Sequence, residues 1–237
     1  MNDTITDMSH PKAAIVRVAG LTYVIIIVIG VLNSVFIDAR LIIYEDISLT
    51  INNILTNEFL FRFGNAWVLI LYVSVILISV LFYLILKDVN KNLALLAMVF
   101  RISEALLGIT TVLISFFILG LLNNQFNVKT IENTQLNILV AALLDLRTIG
   151  LYIVLLLVGL GGTIFFYLFY KSFYIPKILS IWGMLTYLSM IILSFIGLLF
   201  PEYPDTIEIA LYGLGTLFEL TIGFWLLIKG VNLPQVV

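Results

Sequence analysis

Along most of this chain the apolar residues do not alternate with polar ones at the 3.6-residue period of a water-facing helix; they run together. Six runs stand out: Ala13 to Phe36, Asn65 to Leu86, Leu93 to Leu122, Leu146 to Tyr170, Pro176 to Phe200 and Ile209 to Ile228. Crossing about 30 Å of hydrocarbon at about 1.5 Å per residue takes roughly 20 residues, which each run supplies. In lipid a helix keeps every backbone N–H and C=O satisfied, so each run predicts a spanning helix. The most apolar part of the first run, Val18 to Phe36, exceeds the roughly 7–15 residues of a signal-peptide core. No small-x-small cleavage site follows it, so it reads as a retained anchor.

The polar positions between the runs give this bundle a direction. Lys12, Arg17, Lys87, Lys91, Lys171, Lys177 and Lys229 collect at one set of span ends. At the other set, Arg40, Arg62, Lys129 and Arg147 are outnumbered by Asp38, Glu45, Asp46, Glu58, Glu132, Asp145, Glu202, Asp205 and Glu208. The bias predicts both termini in the cytoplasm and acidic loops outside. Segments 87–92 and 171–175 are single short turns and imply antiparallel hairpins. The longer segment 37–64 sets Ile43, Ile47, Leu49, Ile51, Ile54, Leu55 and Phe59 among polar residues. That pattern predicts an amphipathic helix that lies on the outer surface or caps the bundle. Segment 123–137 is polar and reads as partly helical.

The predicted fold is thus all-α: an integral membrane bundle of six transmembrane helices, one domain over residues 1–237. A polar cytoplasmic tail covers 1–12 and an extracytoplasmic loop covers 37–64. Two halves of three spans each would have opposite orientation, as in inverted-repeat transporters, although no residue match joins them.

Composition narrows the function classes. Hydrophobic residues make up 62% and charged residues 11% of the chain, where a soluble domain carries about twice that charge. The net charge is −2 and the basic residues are dispersed, which excludes the concentrated basic face that nucleic acid requires. There is no cysteine, hence no disulfide, thiolate catalysis or cysteine-held metal. The single histidine, His10, sits in the polar tail, so one chain cannot build a two-histidine metal or haem site. Neither a phosphate-binding loop nor a dinucleotide glycine fingerprint is present; Gly159, Gly161 and Gly162 fall inside a run and read as packing. No metal or cofactor is expected, and an enzymatic role is disfavoured. The expected partners are the lipid bilayer and a small ion or polar ligand.

Charges inside the spans are the sharpest chemical signal, because a charge at the bilayer centre costs about 3 kcal/mol or more. Arg101 and Glu104 are three residues apart, hence on one helix face. Arg101 lies ten residues from Lys91 and Glu219 ten from Lys229, which puts both roughly 15 Å deep. Small and polar residues extend these faces. Ala94, Ala97, Gly108, Thr111 and Ser115 accompany Arg101, and Tyr212, Thr216 and Gly223 accompany Glu219. Thr148, Tyr152, Gly159 and Gly162 mark span four, and Gly183, Thr186, Met190, Ser194 and Gly197 mark span five. Such stripes let helices approach closely and hydrogen-bond across the bundle. The expected cluster is Arg101, Glu104 and Glu219, with Gly108, Thr111, Thr216 and Tyr152 as lining. One guanidinium cannot neutralise two carboxylates, so one of these holds a proton or has a cation or water beside it. Two readings stay open: a site for a proton, cation or polar head group in a small transporter, or an architectural salt bridge in a structural or regulatory subunit. At the span ends, Arg17 is expected to snorkel to head groups, Glu58 with Arg62 to anchor the interface, and Asp145 with Arg147 to form an interfacial ion pair. Tyr167, Tyr170, Tyr174 and Trp225 fit an aromatic belt.

Several segments resemble the bacterial polytopic membrane proteins of domain-of-unknown-function family 4386. They are Arg17-Val-Ala-Gly20-Leu-Thr-Tyr23, Asn52-Asn53-Ile54 with Asn57-Glu58-Phe59-Leu60-Phe61-Arg62, and Leu86-Lys87-Asp88-Val89-Asn90-Lys91 leading into Phe100-Arg101-Ile102-Ser103-Glu104-Ala105. Tyr170-Lys171-Ser172 with Tyr174-Ile175-Pro176-Lys177, and Glu219 with Trp225-Leu226-Leu227-Ile228-Lys229-Gly230, complete the set. The family pattern often places a proline after the first lysine of the third segment, where this chain has Asp88. The resemblance implies a six-span protein of a bacterial cytoplasmic membrane and marks Arg17, Arg62, Arg101, Glu104 and Glu219. It implies no activity.

Overall fold

The structure is a computed structural model and describes residues 11–125, 132–200 and 203–232. His10, Lys129 and Glu202 lie outside the described residues. Helix α1 (Pro11–Asn33) runs on through a π-helical turn (Ser34–Asp38) into a last α turn (Ala39–Leu41). The others are α2 (Ile47–Thr56), α3 (Glu58–Leu86), α4 (Lys91–Leu122), α5 (Asn133–Ser172), α6 (Lys177–Leu199) and α7 (Asp205–Ile228). No strand occurs among the described residues. Six of the helices, all but α2, are long and apolar enough to cross a membrane.

Local chemistry places the helix ends. Asn90 caps α4 by accepting from the Leu93 N–H at 3.0 Å, and Asp46 caps α2 by accepting from the Leu49 N–H at 2.9 Å. Between α5 and α6, Phe173 adopts the left-handed conformation (φ 60°) and Pro176 precedes the next helix, so the chain reverses within a few residues. The helices extend further than their apolar runs at the end away from Lys91 and Lys177. Helix α5 has 40 residues, hence about 60 Å of length against about 30 Å of hydrocarbon. Its first turns, together with the last turn of α1 and the start of α3, stand beyond the apolar core. The expected loop over 37–64 therefore contracts to 42–46 plus Asn57, with helix on both sides. The polar residues there hid the continuation, because helix in water needs no apolar run.

The amphipathic helix expected between the first two spans is α2. It turns Ile47, Ile51 and Ile54 onto Leu119 and Leu122 of α4 and Val140 and Leu144 of α5, and Ile54 is fully buried. Thr50 ties the preceding turn down, its hydroxyl bonding both the N–H and the C=O of Ile43. Helix α2 thus caps the bundle end rather than lying free on it.

The spanning helices close a ring in which α1 packs on α3, then α4, α5, α6 and α7 follow in order, and α7 returns to α1. The α6–α7 seam is the most lightly packed of the six. The α7–α1 contact is tight because Gly20 faces α7 backbone. A Cβ there would lie 2.5 Å from the Leu227 nitrogen and 2.8 Å from the Gly223 carbonyl oxygen. Backbone cannot move aside as a side chain can, so Gly20→Leu should lower stability by about 3 kcal/mol, the upper end of overpacking. Thermal unfolding of the solubilised protein measures this, with Gly213→Ala as the control. A Cβ at Gly213 meets nothing within 4 Å, and that variant should match the parent or gain slightly.

Candidate functional site

The site forms at one depth. Counted from the basic end of each helix, Tyr23 is ten residues from Ala13, Arg101 from Lys91, Gly161 from Lys171, Tyr187 from Lys177 and Glu219 from Lys229. Ten residues are about 15 Å, the middle of the hydrocarbon. The ring topology then turns these positions inward, and α3 adds Ser79, which is fully buried.

Arg101 and Glu104 make the ion pair that their spacing predicts. Arg101 Nη1 and Glu104 Oε2 lie 2.8 Å apart, and the residues are 7% and 3% exposed. The contact is close but lacks hydrogen-bond angles, and both atoms are left without a hydrogen-bond partner. Two groups on adjacent turns of one helix approach side by side, which suits Coulomb attraction better than a linear N–H···O.

Glu219 is not in that pair. It is half-buried on α7 and accepts a hydrogen bond from the Tyr187 hydroxyl at 2.7 Å. Tyr187 is also hydrogen-bonded to the Tyr23 hydroxyl. A phenol has one proton to donate. Tyr187 commits its own to Glu219, so Tyr23 must donate to Tyr187. The result is a directed chain from α1 through α6 to α7, Tyr23 to Tyr187 to Glu219. A cavity of about 10 Å³ is walled by Tyr23 and Tyr187 of this chain, by Arg101 of the ion pair and by Ser79, with neither carboxylate on its surface. That is about the space of a single water.

Two adjacent glycines of α5 make the layer fit. A Cβ on Gly161 would meet the Arg101 stem at 2.7 Å, and one on Gly162 would strike the Tyr187 ring. The pair therefore serves Arg101 and Tyr187 at once. Around them stands an aromatic shell. Phe82 meets Phe165 edge-on at 5.3 Å, and Phe166 meets Phe218 at 5.0 Å and stacks on Tyr187 at 5.6 Å. This shell continues into the largest buried cluster, toward the basic end, through Phe169, Ile85, Leu86 and Leu226.

None of the four expected lining residues borders this cavity. Gly108 receives the Tyr72 ring at the α3–α4 contact, and the Thr111 hydroxyl donates to the Gly108 carbonyl at 2.7 Å. Tyr152 sits nearer the acidic end, against Gly197 and within 3.1 Å of the Tyr203 hydroxyl. Thr216 stays on the Glu219 face of α7, one turn away and partly exposed. The expected Asp145–Arg147 pair is corrected as well. Arg147 bonds Asp38 at 3.0 Å, while Asp145 is exposed. The π turn at Ser34–Asp38 adds a residue to α1 and rotates its last turn by about 100°, presenting Asp38 to α5. Glu58 and Arg62 do pair, at 2.6 Å on an exposed face. Sequence reasoning missed Tyr187 and the chemical part of Tyr23. The usable signal was depth: both phenols lie ten residues into their spans, beyond an interfacial aromatic belt.

Over residues 18–230 the chain matches the family described as Domain of unknown function (DUF4386). It belongs to that family. No curated protein and no solved structure matches it. The family match runs from within the first span to just past the last, so the midplane layer lies wholly within the DUF4386 region.

Breaking a buried pair leaves an uncompensated charge, whereas removing both partners does not. In this DUF4386 protein Arg101→Met alone should therefore cost about 3–5 kcal/mol, and Arg101→Met with Glu104→Met should recover most of it. A double-mutant cycle of unfolding in detergent measures the coupling. A double variant that costs the sum of the Arg101→Met and Glu104→Met losses would show that the two charges do not depend on each other.

Proposed function

We propose that the chain is a small proton-coupled carrier of a bacterial cytoplasmic membrane, with both termini inside, and that Glu219 is its proton-binding group. The observation that carries this is the directed hydrogen-bond chain Tyr23–Tyr187–Glu219 beside a single guanidinium. Two carboxylates face one positive charge, and a proton on either balances the layer. The cavity beside Tyr23, Tyr187 and Arg101, of which Glu219 is not a wall, has room for about one water and none for a larger cargo. Arg101 and Glu104 set the local charge, and Tyr187 on α6 links Glu219 to Tyr23 on α1, the other neighbour of α7 in the ring. The enclosed cavity also favours a second reading, in which the layer is architecture that fixes helix packing in a membrane subunit.

The two readings separate on titration. In nanodiscs, the infrared carbonyl band of a protonated carboxyl should appear and vanish with pH, and Glu219→Gln should remove it. Proton uptake into proteoliposomes should fall with Glu219→Gln and with Tyr187→Phe, since the phenylalanine keeps the ring but loses both hydrogen bonds. A band that ignores pH, with unchanged uptake, leaves the architectural reading. Orientation is tested independently, because the chain carries no cysteine of its own. Glu45→Cys should react with an impermeant maleimide added outside intact cells, and Phe173→Cys only after lysis.

A further inference from the structure

A second phenol–carboxylate group lies at the acidic end of α7 and has no part in the midplane layer. Tyr203, in the α6–α7 turn, donates to Glu208 Oε2 at 2.5 Å, and its oxygen lies 3.1 Å from the Tyr152 hydroxyl of α5. The arrangement repeats the inner one: two tyrosines from other segments and one α7 carboxylate. Glu208 and Glu219 are eleven residues apart, three helical turns, so they share a face about 16 Å apart along the axis. Tyr212 and Thr216 occupy the turns between them. The obstruction on that path is soft. The methyl end of Met190 would lie 2.8 Å from a Cβ at Gly215, between the two groups. By contrast, the basic side of Glu219 is closed by the aromatic shell and the largest buried cluster.

We infer that Tyr152, Tyr203 and Glu208 form the proton-collecting mouth of the midplane site, and that protons reach Glu219 along the Tyr212–Thr216 face of α7 past Met190. This rests on the reading of Glu219 as the proton-binding group. In the net step, a protonated Glu208 becomes a carboxylate as Glu219 becomes a carboxylic acid; over about 16 Å the proton is relayed, each hydroxyl on the way (Tyr212, Thr216) taking one proton as it gives up its own. The titratable and charged groups around Glu208 are Tyr203, Tyr152 and Tyr212, and those around Glu219 are Tyr187, Tyr23, Arg101 and Glu104. Burial and its hydrogen bond to Glu208 raise the Tyr203 phenol above its ordinary range, so Tyr203 keeps its proton and acts as donor to Glu208. Met190 is an unbranched, flexible side chain that can swing without moving backbone.

The test is the rate at which the carboxyl band assigned to Glu219 answers a pH jump on one side of oriented proteoliposomes. With the jump on the α6–α7 loop side, Glu208→Gln and Tyr203→Phe should each slow the response about tenfold or more. The final extent of titration should not change, and Met190→Ala should quicken the response. Tyr203→Phe keeps the test valid should Glu208→Gln fold poorly. Unchanged rates in both variants overturn the mouth while leaving Glu219 as the proton site. A faster response to a jump on the basic side overturns the direction. A band that survives Glu219→Gln overturns the midplane reading and this inference with it.

Discussion

Hydrocarbon offers no water to a charge, and Arg101 sits in the middle of it. Most of the architecture follows from that constraint. A guanidinium at this depth must be enclosed, so the helices close into a ring in which every spanning helix supplies part of one layer. It must be paired, and Glu104 on the next turn supplies the charge at 2.8 Å. Its long stem needs room, which Gly161 gives by lacking a side chain. Gly162 does the same for Tyr187, so a two-residue step in α5 sets the spacing of the polar layer against two neighbours at once.

The attachment of α7 differs from that of the other helices. Toward α1 it is held by shape, with Gly20 against backbone, a contact that pH does not alter. Toward α6 the packing is lighter: Phe218 fits against Gly183 and Trp182, and Tyr187 donates a hydrogen bond to Glu219. In a membrane such polar contacts hold an interface without a hydrophobic driving force between helices.

The two ends of the bundle are finished by different physics. At the basic end the turns are short, the lysines Lys91, Lys171, Lys177 and Lys229 are exposed, and a dense aromatic core lies beneath them. At the acidic end α5 outruns the hydrocarbon, α2 folds down on the exposed apolar turns, and a π turn in α1 redirects Asp38 to Arg147. The Arg147–Asp38 pair there is only partly buried, its side chains 11% and 35% exposed.

What the sequence determined by itself is what lipid imposes on each segment separately. Span length, helical form and the depth of Arg101, Glu104 and Glu219 follow from counting residues against a fixed thickness. The amphipathic α2 followed likewise from the spacing of Ile47, Ile51 and Ile54. Helix ends beyond the hydrocarbon did not, because water supports helix without marking it by an apolar run, as at Asn133. Nor did partners: Glu219 shares the depth of Arg101, yet depth gives only one coordinate. The rotation of each helix about its axis and the order of helices around the ring decide which side chains at that level meet. Only the tertiary structure holds that information, and it put Tyr187 rather than Arg101 against Glu219, and Asp38 rather than Asp145 against Arg147.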